Sequence, residues 1–387
     1  MIYLDVTSAC QSPLNTGVKR MQRALHEWLR PRADYQPVCW QSARRGYRRL
    51  RPRDRENLEN IAKKIAGLGL IDNFAPGAIS DWLAFRRDRA LMLPPAELTS
   101  RDVLLVPDLL WDNRGRILTQ RRGPRLIGIF HDAIALRRPG QSRLDAMLCA
   151  RGVRALAGFD TVLCISREAE HDLLHYWRKF GLAPAATRVV PWPVPFHSAR
   201  PASPPNFPAR QLLYVARLEP HKNHLLLLDT CEALWSSGLD FELRLIGCMA
   251  YPDTAWRILR RVRALRKKGR RIRWEAHVPE DELHRAYRDC TATVFPSLLE
   301  GFGLPVLESL WHGRPVICGG DGALGEIAAG GGCEIVDPQD RKSLADGIRR
   351  VLTDPARYAA LCDETQTRHF RNWADYGRDL ADLLDPA

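Results

Sequence analysis

Residues 294–318 read VFPSLLEGFGLPVLESLWHGRPVIC, an order of residue types that can handle an anion and a sugar together. Gly301 and Gly303 let backbone approach a ligand closely. A helix expected to start near Leu304, with Pro305 suited to its first position, turns free N–H groups and the positive end of its dipole toward an anion. Glu300 sits in the loop and Glu308 eight residues on, in the next turns of the helix, with room between them for an extended ligand. Carboxylates are poor partners for phosphate, so both are read as acceptors for sugar hydroxyls. The plain alternative is an ordinary strand–turn–helix with surface acids; the flanking PS and GRPVI weigh against it.

A second segment, YVARLEPHKN at 214–223, ends a strand at Arg217 and reaches Lys222 five residues later. Two cations above one strand end can hold a diphosphate, each charge-assisted hydrogen bond being worth about 1.5–3 kcal/mol. They can also neutralise a departing phosphate. As mere solvent-facing cations at a helix start they would oppose the helix dipole. A third candidate, His131, follows the apolar run 126–130; standing alone it reads as a loop histidine.

These side chains need strands to carry them. Apolar runs at 2–6, 103–106, 126–130 and 161–165 read as buried strands, each followed by a loop or helix pattern. Gly17 starts a helix bearing Val18, Met21, Leu25, Trp28 and Leu29, and Ser166 can cap the helix beginning at Arg167. Residues 56–100 look partly helical, as an insertion would. The Pro-rich stretch 197–210 is a linker. Strands at 211–215, 241–246, 271–275, 291–295, 315–318 and 334–336 then alternate with helices. This β/α alternation predicts parallel sheets covered by helices, with ligands at the C-terminal strand ends.

At 387 residues, 45% hydrophobic and 27% charged, the chain suits two globular domains. Its net charge is +13, and residues 44–55, RRGYRRLRPRDR, include Arg44, Arg45, Arg48 and Arg49. That stretch is expected to meet a membrane or a phosphorylated acceptor, or to be a solvated face. With only Tyr47 between the arginines, a base-stacking platform is not expected, and no nucleic-acid partner is assigned. The ten cysteines are scattered without a CxxC and read as buried thiols in a reducing compartment; no clustered ligands suggest a metal. The start lacks a signal-peptide layout, and no apolar run reaches the roughly 18–20 residues of a membrane span. A cytoplasmic protein, peripheral on the inner face of the cell membrane, is therefore expected.

Residues 211–350 resemble the C-terminal domain of family 4 glycosyltransferases, a retaining group with the GT-B fold. The resemblance is carried by Arg217, Lys222 and Asn223, by LIG at 245–247, and by the 296–317 string with its Glu300–Glu308 spacing. GALGEI at 322–327 and VDPQD at 336–340 add to it. The N-terminal half is similar, more loosely, to bacterial polysaccharide and O-antigen mannosyl- or rhamnosyltransferases. There NTGVKR at 15–20, FHDAIALRRPG at 130–140, LCISREAEHDL at 163–173, and Trp373 and Tyr376 in the tail match. Many relatives carry a Gly-Gly pair where this chain has only Gly17.

The resemblance implies two Rossmann-like domains facing a central cleft that closes over the donor. An acceptor-binding domain spans 1–196, a linker 197–210, a nucleotide-sugar-binding domain 211–368, and a helix at 369–387 crosses back to the first. It further implies that Arg217 and Lys222 hold the diphosphate, Glu300 the sugar hydroxyls and Glu308 the ribose. The amides of Phe302, Gly303 and Leu304 would serve the sugar and phosphate, and the backbone near Val278 the base. Gly17 would face the diphosphate and His131 a sugar hydroxyl; Glu326 matches an acid of less defined role. The sequence has no D-x-D pair for a divalent metal, so the cations and the helix start are expected to stabilise the leaving group without a cofactor. In a front-face reaction the departing phosphate oxygen takes the acceptor proton. GDP, UDP and dTDP sugars remain open, with GDP-mannose preferred, and the acceptor is expected to be a glycan or lipid-linked glycan. Rival readings are an epimerase or phosphorylase on the same fold, a non-catalytic nucleotide-sugar scaffold, and a basic nucleic-acid binder.

Overall fold

The computed structural model describes residues 1–11, 17–59, 90–93, 98–120, 123–138, 142–194, 200 and 210–385. They fall into two compact units. One gathers the described residues up to Val194 together with the tail from Arg371; the other runs from Arg200 to Phe370. Of the expected linker only Arg200 and Arg210 are described, and the stretch 60–89 lies outside the described residues.

The first unit is built on Ile2–Asp5 (β1), Tyr35–Gln41 (β2), Gly46–Arg48 (β3), Val103–Val106 (β4), Arg125–Phe130 (β5), Thr161–Cys164 (β6) and Ala186–Val189 (β7). Their order is β3-β2-β1-β4-β5-β6-β7, parallel except for β3, which runs antiparallel to β2. The second unit holds Gln211–Val215 (β8), Glu242–Ile246 (β9), Ile272–Glu275 (β10), Ala292–Phe295 (β11), Val316–Cys318 (β12) and Cys333–Ile335 (β13). Their order is β10-β9-β8-β11-β12-β13, all parallel. Central strands such as VLLV in β4 and ATVF in β11 are buried along their whole length, as a sheet with helices on both faces requires.

Three of these strands, β2, β3 and β7, were not anticipated from the sequence. In β2, Pro37 stands opposite Leu4 in the middle of a half-polar run, a residue that argues against a strand. The hairpin of β2 and β3 takes up the start of the basic stretch, and Pro52–Glu59 forms a helix after it.

Helix ends follow local chemistry. Ser166 accepts a hydrogen bond from the Ala169 amide at 3.0 Å and caps Arg167–Lys179. Asn372 and Asp375 form a reciprocal capping box at the start of Trp373–Leu384. That tail helix buries Trp373, Tyr376, Leu380 and Leu384, one face of a 3.6-residue period. It packs on the first unit, where Trp373 stacks on Trp28 with ring centroids 6.0 Å apart. All ten cysteines are buried free thiols.

In each sheet the strand order reverses once, between β1 and β4 and between β8 and β11. Connections leave in opposite directions there, which opens a crevice at the carboxyl ends of those strands.

Candidate active site

In the second unit Arg217, Lys222, Glu300, Phe302, Gly303, Leu304 and Glu308 lie on the segments that follow β8 and β11 at that reversal, while Val278 follows the edge strand β10 and Glu326 the strand β12. The Ala216 amide donates to the Ile246 carbonyl at 2.9 Å, and the chain then leaves the sheet with Arg217. Gly247, after β9, lies so close that a Cβ there would sit 1.9 Å from the Ala216 carbonyl oxygen. A short 3₁₀ turn, Pro220–Lys222, brings Lys222 back over the strand ends. Asn223 adopts φ 58° at the start of the helix His224–Ser236 and donates from its side chain to the Pro338 carbonyl at 2.6 Å.

Lys222 and Glu300 are brought together. The ammonium lies 2.5 Å from Glu300 Oε1 and 5.4 Å from the centre of the Phe295 ring that ends β11. The two loops are tied at the backbone, the Leu298 amide donating to the His221 carbonyl at 2.9 Å. Tyr214 in β8 donates its hydroxyl to the Lys222 carbonyl at 2.5 Å. Arg217 stands 3.2 Å from Glu219, whose other oxygen is 3.2 Å from His221 Nε2. Glu219 and His221 were in plain view within RLEPHKN, yet only their folded positions show that they link the two cations' loop.

The anion-facing turn is built as its glycines predict. Gly303 has φ 104° and caps the helix Leu304–Trp311, with Pro305 in its first turn. A Cβ on Gly303 would meet Leu324 Cδ2 at 2.7 Å. Phe302 is buried beside it, and Leu304 is half-buried. Glu308 is buried in the helix and accepts a 2.9 Å hydrogen bond from the Tyr287 hydroxyl. Val278 follows β10 and packs on Leu213, Ile246, Ala286, Tyr287 and Cys290. Glu326 is exposed on the helix Gly322–Ala328. Under the Lys222 loop, His224 is buried against Tyr214, and burial together with the Lys222 charge lowers its pKa to about 3.

In the first unit, His131 follows β5 and is buried, and burial lowers its pKa. Its Nε2 is 3.1 Å from the Pro107 carbonyl, which can only accept. The proton therefore sits on Nε2, and Nδ1 is left as an acceptor. Gln22 clamps the same carbonyl with its Nε2 at 3.1 Å, while its Oε1 takes hydrogen bonds from Ser8 and the Ala9 amide. The His131 ring stacks on Trp192 at 6.2 Å, and Trp192 stacks on Tyr376 of the tail helix at 5.5 Å. Neither Gln22 nor Trp192 was picked out from the sequence; their partners lie tens to hundreds of residues away. Gly17 is exposed at the start of the helix Gly17–Leu29, and the loop before it, 12–16, lies outside the described residues.

The basic stretch divides. Arg45 and Arg49 are exposed and Arg44 is half-buried, but Arg48 is buried in an ion pair with Asp54 at 2.5 Å. Arg48 thus serves the fold of the β2–β3 hairpin and cannot present its charge to a membrane or acceptor. Among the described residues no group of three or more His, Cys, Asp and Glu could hold a metal ion, and no helix is long and apolar enough to cross a membrane.

Residues 198–368 match the family model "Glycosyl transferases group 1". The chain is 32% identical over 147 residues to O-antigen chain mannosyltransferase B of Escherichia coli, a match covering 37% of this chain and 36% of that protein. It is 26% identical over 270 residues to D-inositol 3-phosphate glycosyltransferase 1 of Catenulispora acidiphila, covering 64% and 63%. The chain spans about a third of the length of the Escherichia coli mannosyltransferases it matches. Among solved structures it is similar to sucrose-phosphate synthase from Thermosynechococcus elongatus, with TM-score 0.66, 19% identity and 99% and 97% of the two chains covered. It is equally similar to Anabaena HepE in complex with UDP and glucose, with TM-score 0.66, 15% identity and 100% and 99% covered. At these identities the likeness carries the fold, two Rossmann-like α/β units of the GT-B class. Residues 198–368, a little under half of the chain, are thus similar to the glycosyl transferases group 1 family.

Proposed function

We propose that the chain is a retaining glycosyltransferase that moves a hexose from a nucleotide-diphosphate sugar to a glycan or lipid-linked glycan acceptor in bacterial surface polysaccharide synthesis. The observation that carries this reading is the convergence of Lys222, Glu300 and the Gly303 helix start at the reversal between β8 and β11. A cation, a hydroxyl acceptor and free amides within one crevice fit a sugar diphosphate and little else.

In this reading Arg217 and Lys222 take the diphosphate, Glu300 the sugar hydroxyls and Glu308 the ribose. The Phe302, Gly303 and Leu304 amides meet the phosphate and sugar, and the backbone near Val278 meets the base. His131, neutral and with Nδ1 as acceptor, holds a sugar hydroxyl. The leaving diphosphate is stabilised by the two cations and the helix start rather than by a metal. The departing phosphate oxygen takes the acceptor proton, so bond breaking at the anomeric carbon and O–H cleavage balance without a protein base. Mannose as the hexose, from GDP-mannose, is supported by the mannosyltransferases among the relatives; the UDP in the HepE complex keeps UDP sugars in the test.

The test is a thermal-shift panel of GDP-, UDP- and dTDP-sugars on the parent chain and on Lys222→Ala. A donor at a hundred times its Kd adds about 2.7 kcal/mol of stability. One nucleotide class should shift the parent and not the variant. A panel without any shift would sink the donor reading.

A further inference from the structure

Residues 251–273 carry ten Lys and Arg against one Asp, a net +9 in a chain whose total is +13. The helix Pro252–Lys267 packs beside the edge strand β10 and buries Ala255, Ile258, Leu259, Val262 and Leu265. The 3.6-residue period then turns Trp256, Arg257, Arg260, Arg263 and Lys267 outward. Trp256 is 55% exposed, an unusual place for an indole on a polar face.

Eight of these ten cations are of two kinds. Arg261, Lys268, Arg271 and Arg273 are neutralised by Asp229, Glu232, Asp240 and Glu242. Arg257, Arg260, Arg263 and Lys267 make no ion pair among the described residues. Most of the uncompensated charge is therefore collected on one helix face, with the tryptophan at its start; Arg266 and Arg270, which donate to the Ile272 carbonyl and to Ser236, carry the rest.

Where that helix ends, Arg266, Arg270, Arg271 and Arg273 line a shallow, open surface depression with Glu242 and Ile272. Nε of Arg270 is buried with no acceptor. The depression lies at the amino ends of β9 and β10, whereas the candidate site lies at the carboxyl ends of β8 and β11. Occupying one leaves the other open.

We propose that this face docks the second unit on a bilayer surface rich in anionic phospholipid, with a headgroup phosphate resting at the arginine-lined depression. Arginines on a convex helix face meet a plane of fixed negative charge, and an exposed tryptophan settles at the boundary between headgroups and acyl chains. A single-stranded nucleic acid would need a series of aromatic platforms, and this face has one indole; duplex DNA is left to the test below. The proposal stands apart from the donor reading.

Vesicle sedimentation tests it on the full chain, with phosphatidylcholine alone and with equal parts phosphatidylcholine and phosphatidylglycerol. Binding should require phosphatidylglycerol and weaken as salt rises. Each cation near an anionic surface contributes about a fivefold gain, so Arg257→Gln, Arg260→Gln, Arg263→Gln and Lys267→Gln together should weaken binding about a thousandfold. All four positions are exposed, and an unchanged melting temperature shows that the variant is folded. Arg101→Gln with Arg116→Gln, exposed cations outside both basic stretches, should bind as the parent does. Equal binding to neutral vesicles, parental binding by the fourfold variant, or tighter binding to duplex DNA than to vesicles overturns the proposal.

Discussion

The Lys222 ammonium lies 2.5 Å from Glu300 Oε1, so the groups assigned to the diphosphate and to the sugar hydroxyls neutralise one another. A diphosphate that takes Lys222 frees the Glu300 carboxylate to accept from hydroxyls, which couples the two halves of one ligand. Lys222→Ala should remove the nucleotide-induced thermal shift and lower transfer by about 10²–10³. Glu300→Gln should keep the nucleotide shift and lose transfer, since an amide is a weaker hydroxyl acceptor. A nucleotide shift that survives Lys222→Ala would remove this lysine from the donor site.

Gly303 holds φ 104°, and a Cβ there would press on Leu324 at 2.7 Å. Gly303→Ala should cost about 1–3 kcal/mol of stability, from backbone strain and the displaced leucine. It should also weaken nucleotide binding by moving the helix start. Urea unfolding beside nucleotide titration reads both effects; a neutral substitution would mean that the turn relaxes freely.

The stack His131–Trp192–Tyr376 joins the histidine proposed to hold a sugar hydroxyl to the tail helix. Trp192 is 2% exposed, so Trp192→Ala should cost about 3–5 kcal/mol. If Trp192 also orients the imidazole, kcat should fall more than KM changes, and Trp192→Phe should restore kcat better than it restores stability. Parallel recovery of both would make the stack purely structural.

Burial holds His26, His131 and His224 below the ordinary imidazole pKa, His224 at about 3. In the unfolded chain each takes a proton near pH 6.5, so their contribution to stability is complete above about 6.5 and is lost as pH falls toward the folded values. Each adds a slope of up to ~1.4 kcal/mol per pH unit. Urea midpoints between pH 7 and pH 5 should fall steeply, and less steeply in His224→Gln. A flat profile over that range would show that the histidines are not held neutral.

Arg48 and Asp54 form a buried pair, whereas Arg45 and Arg49 lie on the surface. Arg48→Ala should cost about 3–5 kcal/mol by stranding the carboxylate, and Arg45→Ala should stay within about 0.5 kcal/mol. In a double-mutant cycle Asp54→Asn should recover part of the Arg48→Ala loss. Additive costs would show that the pair is not coupled.

Much of the second unit could be read along the chain because its signals are local. QLLYV and ATVF alternate with helical periodicity, and the string from Glu300 to Glu308 puts loop, glycine cap and helix in unbroken succession. The first unit was harder, since β2 carries Pro37 and β3 is three residues long, too short for a period to show. The basic stretch 44–55 is visible as an unbroken run, whereas the larger excess at 251–273 is interleaved with core residues of a helix.

By itself the sequence determined the alternation of strands and helices, the glycine turn before Leu304 and the residue types proposed to meet a sugar diphosphate. These follow from neighbours within a turn or a strand. Only the tertiary structure decided that Lys222 meets Glu300 across 78 residues, that His131 is fixed by Pro107 and Trp192, and that Arg48 turns inward while the stripe from Trp256 to Lys267 turns out. The reason is physical: strand order and helix packing set which distant side chains share a crevice, and burial against a specific partner, not charge in the sequence, settles where a cation points.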